Sequence, residues 1–220
     1  MAKNLNNIFD YKIKKRLKYS VASVSKLEKY PIQSHKCWER GVYDIVKTEV
    51  KKAYYLPQNR RCAYCRKRLN AHAYFNHLDH IIPKSHHKRW MFKPKNLVIT
   101  CEVCNPLKNA DDTLATSHSR TRFPKKRAGF TIFNPHYDRW SDYFTIEEGM
   151  FLRGKNSKGD ETIKVCKLAQ DNIVIQHTEE SGIVPKTAIK RALIRQTKFP
   201  TGSIEYESAM KVVEYYTQLI

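Results

Sequence analysis

The sequence predicts an α+β protein built around a small strand–loop–strand–helix unit that cysteines fasten at both ends. Three observations carry this expectation. Between Arg60 and Leu114 the apolar residues come in short runs broken by Cys, His and Pro, while much of the flanking sequence shows helical periodicity. Two Cys-x-x-Cys pairs bracket that stretch. The excess of positive charge stops at about residue 128.

Taken in order, residues 1–59 form a basic, helical N-terminal region. Ile13, Leu17, Val21 and Val24 recur every three or four residues and suit a short helix or a basic arm. Val42, Ile45, Val46, Val50, Ala53 and Tyr54 give a stronger stripe over residues 36–56, which Leu56-Pro57 stops. This helix is expected to pack on the core and to bind nothing itself. Residues 60–116 make the central unit, with strands at 77–82 and 97–100 and a helix at 106–115 whose first position suits Pro106. Residues 117–128 read as a basic linker or exposed loop.

The region 117–220 reads as α+β. Strands are expected around 130–133, 144–152 (turning at Gly149) and 162–168, with a turn at 155–160. Helices are expected at 185–196 and 204–220, the second burying Ile204, Val212, Val213, Tyr216 and Ile220. No internal repeat occurs.

Lys and Arg number 41 against 21 Asp and Glu, a formal charge of +20. Residues 1–60 carry +9, residues 61–128 carry +11, and residues 129–220 carry none. Such a basic region predicts a polyanionic partner, most simply nucleic acid; a solubility feature or an anionic membrane surface is the alternative. A hydrophobic content of 41% with 22 Tyr and Phe supports a buried core and excludes a disordered chain. No run of 18 apolar residues exists, and the N-terminus lacks a signal-type apolar region, so neither membrane insertion nor secretion is expected.

Cys62-x-x-Cys65 and Cys101-x-x-Cys104 stand 35 residues apart. Each pair makes a tight knuckle, and together they offer the four thiolates that a tetrahedral Zn²⁺ prefers. Four thiolates leave no position for water, so this zinc is expected to be structural. Cys37 and Cys166 stand alone and read as buried cysteines.

Between and just after the knuckles lie His77-Leu78-Asp79-His80-Ile81-Ile82-Pro83-Lys84, Asn96-Leu97 and Cys104-Asn105-Pro106-Leu107-Lys108. In order and type these resemble the four-cysteine form of the HNH endonuclease family, over about 50 residues. The resemblance implies a ββα-metal core and a metal-dependent endonuclease that hydrolyses phosphodiester bonds in DNA, leaving a 5′ phosphate and a 3′ hydroxyl. It implies His80 as general base, Asp79 and Asn105 as ligands of a catalytic Mg²⁺ or Mn²⁺, and Asn96 as the residue that holds the loop and orients the base. The chemistry agrees: an imidazole takes a proton near neutral pH, and a carboxylate is a hard oxygen donor. Asp79 and His80 serve one site only if the strand ends or bends there. Asn105, just before Pro106, also reads as a helix N-cap.

Lys84, His87, Arg89 and Lys108 are candidate nucleic-acid contacts, and Trp90 is a candidate stacking residue. Where many family members carry glycines, this chain has His86-His87-Lys88-Arg89-Trp90. His72, His77, His86 and His118 exceed what the mechanism needs. Phe133-Asn134-Pro135-x-x-Asp138 and the region after it are similar to HNH proteins linked to retrons and to Septu-type bacterial anti-phage defence. That similarity implies a cytoplasmic bacterial protein working beside an ATPase partner bound through the C-terminal region. A zinc-bearing nucleic-acid-binding module without catalysis, and a toxin-like nuclease that cuts RNA, stay open as alternatives.

Overall fold

The computed structural model describes residues 4–72, 76–108, 110–117 and 120–220. In chain order these form α1 (Leu5–Phe9), α2 (Val21–Lys29), α3 (Asp44–Tyr55), β1 (His77–His80), β2 (Leu97–Thr100), α4 (Cys104–Lys108), α5 (Trp140–Tyr143), β3 (Phe144–Glu147), β4 (Phe151–Gly154), α6 (Ser157–Val165), α7 (Asp171–Ser181), α8 (Pro185–Gln196) and α9 (Ile204–Thr217), with short 3-10 turns between them. The fold is α+β. Its contacts divide it into two compact units, one of residues 11–140 and one joining the residues up to Asp10 to Ser141–Ile220.

In the first unit, β1 pairs antiparallel with β2, setting Asp79 opposite Val98 and His80 opposite Leu97. All four residues of β2 are buried, as its unbroken apolar and β-branched run suggests. Gln58 ties the end of α3 to this hairpin: its amide oxygen accepts from Ile99 N (2.9 Å) and its Nε2 donates to Ile99 O (2.8 Å). On the other side, Leu114 forms a bridge with Phe130, and Thr131 N donates to Thr113 O at 2.9 Å. The boundaries drawn at 59/60 and 116/117 both fall inside this unit.

Several expected elements change. The 36–56 helix is two 3-10 turns (His35–Glu39 and Gly41–Tyr43) followed by α3, which buries Val46, Val50 and Tyr54. Ile13 is buried outside any helix and Val21 is 87% exposed, so the 13/17/21/24 stripe is not a helix face. Instead Ser20 caps α2, and Ser20 and Ser23 both donate to the Glu49 carboxylate. Helix α4 begins at Cys104, two residues earlier than expected, so Pro106 is its third residue and Asn105 lies inside it rather than capping it. Its missing N–H costs nothing in a first turn. Residues 130–133 hold only the bridge at Phe130.

In the second unit, β3 and β4 form a hairpin whose turn holds Gly149 at φ +75°, a value glycine adopts without strain. The strand expected at 162–168 is instead part of α6 and the turn after it. Asn156 accepts from Gly159 N at 3.0 Å and so caps a helix at the point where a turn was expected. Helix α7 was not expected. It contributes Val174 to a core with Met150, Phe151, Ile183, Ala188, Ala192, Ala209, Val212 and Tyr216. Alanines at the α8–α9 crossing bring the two backbones close. Ile204 and Ile220, expected in the core, are 63% and 70% exposed. Among the described residues no helix is long and apolar enough to cross a membrane.

Candidate functional site

The four cysteines expected to bind metal converge. Their sulfurs all lie within 4.8 Å of one another and all four residues are buried. Cys65 and Cys101 sulfurs are 3.7 Å apart, the edge of about 3.8 Å that a tetrahedron with Zn–S bonds of about 2.3 Å requires. Backbone N–H groups of Lys67 and Cys104 point at the Cys65 and Cys101 sulfurs, each at 3.5 Å, as suits thiolates. Hydrogen bonding from Cys104 holds the Cys101 thiol well below its ordinary range, while sharing with Cys101 pushes Cys65 and Cys104 up. Without a cation, four crowded thiols cannot all ionise. The set fits a structural zinc, and the chemistry of the donors argues against a redox pair.

The first knuckle is braced from inside. Arg66 is fully buried, donates to Cys62 O (2.9 Å) and Gln58 O (3.0 Å), and lies 3.8 Å from the ring centre of Tyr11. Tyr64, between the two knuckle cysteines, donates its hydroxyl to Asp79 Oδ2 at 2.7 Å.

A cleft of about 530 Å³ opens beside the hairpin. Asp79, His80, Asn105, Lys84 and Lys108 all line it. Strand β1 ends at His80, so the two adjacent side chains need not take opposite faces of a continuing sheet. Lys108, 1% exposed, donates to His80 O at 2.7 Å and sits 3.3 Å from Asp79 Oδ2. A cation already neutralises this carboxylate, in the manner that a divalent ion would. Asn105 is partly exposed.

His80 Nε2 is 3.0 Å from Met91 O. A carbonyl only accepts, so Nε2 carries the hydrogen and Nδ1 keeps the lone pair. Burial, then the charges of Lys84 and Lys108, pushes the His80 pKa down to about 3, so the ring is neutral at neutral pH. Trp38 packs edge-on against it with ring centres 4.4 Å apart.

Asn96 holds the loop behind His80. It is fully buried; its Oδ1 accepts from Ile82 N (2.8 Å), and its Nδ2 donates to Ile82 O (3.0 Å) and Trp90 O (3.3 Å). The Phe133-Asn134-Pro135-x-x-Asp138 motif supports the same loop. Asp138 accepts from Asn134 N (2.9 Å), Asn134 Nδ2 donates to Lys95 O (3.3 Å), and His136 Nε2 donates to Leu97 O (3.0 Å).

The remaining nucleic-acid contacts expected from sequence separate. Lys84 lines the cleft and Arg89 is exposed, donating to Thr121 O at 3.3 Å. His87 and Trp90 are turned inward, 5% and 4% exposed, and stack on each other with ring centres 4.3 Å apart. A buried indole offers no face to a base, so Trp90 is a packing residue here. Lys108 serves Asp79 and the backbone before any phosphate. His77 lines the cleft, His86 bonds Ala110 O, and His118 lies outside the described residues. Sequence reasoning missed Tyr64, Trp38 and the Met91 carbonyl. Tyr64 lies within a recognised motif, but a tyrosine between knuckle cysteines has no spacing signature. Trp38 is 42 residues from His80, and nothing in the chain marks their pairing.

Residues 62–111 match the family model of the HNH endonuclease, and this segment is an HNH domain. The chain is also similar to the Septu protein PtuB of Bacillus thuringiensis, 28% identical over 124 residues that cover 56% of this chain and 42% of that relative. The match thus spans less than half of the relative's length. No solved structure matches the chain.

Proposed function

We propose that the protein is a metal-dependent DNA endonuclease, acting as the nuclease of a bacterial anti-phage defence system beside a partner ATPase. One observation carries the nuclease reading: Asp79, His80 and Asn105 line a single cleft, with His80 Nε2 engaged by Met91 O and its Nδ1 free of that bond.

In this reading His80 Nδ1 takes the proton from the attacking water, and Met91 O stabilises the imidazolium that forms. Asp79 and Asn105 are the hard oxygen donors that would hold Mg²⁺ or Mn²⁺, with Tyr64 keeping the carboxylate in place. A divalent ion bound there would offset charge on the scissile phosphate and the departing oxygen. Lys108 would give up part of its contact with Asp79, and its ammonium would then face the phosphate. Similarity to the Septu protein supports the defence role and a protein partner. The neutral charge of residues 129–220 supports that region as the partner-binding one.

The test is cleavage of single- and double-stranded DNA and RNA at stated salt, with Mg²⁺, Mn²⁺ or EDTA. Cleavage of DNA that needs the ion and falls by about 10²- to 10⁴-fold in His80→Ala is expected. Undiminished cleavage by that variant would remove His80 from its role, and cleavage confined to RNA would overturn the substrate.

A further inference from the structure

The cleft has a second wall that precedes the HNH segment. Trp38, Lys47 and Lys51 line it together with Asp79, His80, Asn105 and Lys84. Lys47 and Lys51 are one turn apart on α3, so both project from the same side of the helix, about 6 Å apart along its axis. Val46, Val50 and Tyr54 bury a neighbouring face and fix the helix's rotation. The position of this pair is therefore set by the core.

Like charges at this spacing disfavour a helix. Lys47 meets Asp44 at 2.6 Å and lies 5.5 Å from the Trp38 ring centre. Burial, and then the charge of Lys47, holds the Lys51 ammonium below its usual range. The acidic side chains in the lining are Glu39 and Asp79, and Asp79 already has Lys108. Lys47, Lys51, Lys84 and Lys108 outnumber Glu39 and Asp79 in the lining, so the cleft favours an anion.

We infer that Lys47 and Lys51 are a phosphate-binding pair, gripping the nucleic-acid backbone next to the phosphate presented to His80. This rests on the nuclease reading for its orientation but not for its ligand, which is the phosphodiester backbone whatever happens to it. The recognition is of charge, so it is independent of sequence. Helix α3 thus does more than pack on the core.

Binding of a short fluorescent DNA to the full chain, without divalent ions and across a salt series, reads the pair directly. Each lost phosphate contact lowers the slope of log affinity against log salt by about 0.7 on single strands and about 0.9 on duplex. Lys47→Gln/Lys51→Gln is therefore expected to lower the slope by roughly 1.4 or 1.8, with each single variant giving half. Lys47→Arg/Lys51→Arg is expected to keep it, as is Lys186→Gln/Lys190→Gln on exposed positions of α8. With divalent ions, KM is expected to rise about tenfold while kcat stays within about threefold.

An unchanged slope in the folded Gln variants overturns the inference, whether or not the protein cuts. Should the double Gln variant fail to fold, the single variants decide by the same measure. A wild-type chain that binds DNA with the expected slope but never cleaves it would sink the nuclease reading and leave this one standing.

Discussion

The Tyr64 hydroxyl lies 2.7 Å from Oδ2 of Asp79. Tyr64 sits between Cys62 and Cys65, so the cysteine frame and the candidate catalytic carboxylate are joined by one side chain. A frame that looks purely structural in sequence also aims a reactive group.

Tyr64→Phe removes that donor and keeps the ring. Loss of an outer partner of a metal-binding carboxylate typically costs 10- to 100-fold in metal affinity or activity. We expect the Mn²⁺ concentration for half-maximal cleavage to rise by about tenfold or more, with Tm nearly unchanged. An unaltered metal dependence would separate the frame from the site.

If the four-cysteine cluster holds zinc, substituting Cys62 with Ser should release it and unfold the first unit. Structural zinc sites contribute folding energy outright. Metal analysis and circular dichroism check this. A stable, zinc-free Cys62→Ser protein would contradict the assignment.

Asn96→Ala should cost about 3 kcal/mol, because it strands the Ile82 N–H and carbonyl in a fully buried place. Urea unfolding measures the loss. Below full destabilisation, cleavage should also fall, since Asn96 also bonds the Trp90 carbonyl, one residue before the Met91 carbonyl that holds His80.

His136 predicts an acid limb of stability. Burial pushes its pKa down to about 4, against an ordinary 6.5, even though its bond to Leu97 O favours the charged form. The folded state therefore binds protons later than the unfolded one. Stability is full above about pH 6.5 and falls toward pH 4, by about 3 kcal/mol from this residue. His80, also depressed, adds in the same direction. His136→Gln keeps a donor for Leu97 O and should flatten this limb in urea unfolding at pH 7.5, 5.5 and 4.5. Parallel losses in both proteins would reject the attribution.

Local patterns made some of this fold legible. Strand β2 follows from an apolar, β-branched run, and α8 from Pro185 at its start with Ala188 and Ala192 on one face. Elsewhere capping overrode periodicity. The Asn156 cap turned an expected strand into α6, and Ser20 started α2 midway along the apolar stripe, leaving Ile13 and Leu17 outside it.

By itself the sequence determined the chemistry available: four cysteines at knuckle spacing, an Asp-His pair between them, and a basic N-terminal half. Those are statements about residue type and short-range order, which one-dimensional spacing preserves. Only the tertiary structure decided which groups hold that chemistry in place. Tyr64 on Asp79, Trp38 and Met91 O on His80, and Lys47 and Lys51 across the cleft are meetings made by packing. His87 and Trp90, basic and aromatic in a loop, were turned inward by the same packing. Such pairings depend on how helices and loops close around the hairpin, and no local spacing encodes them.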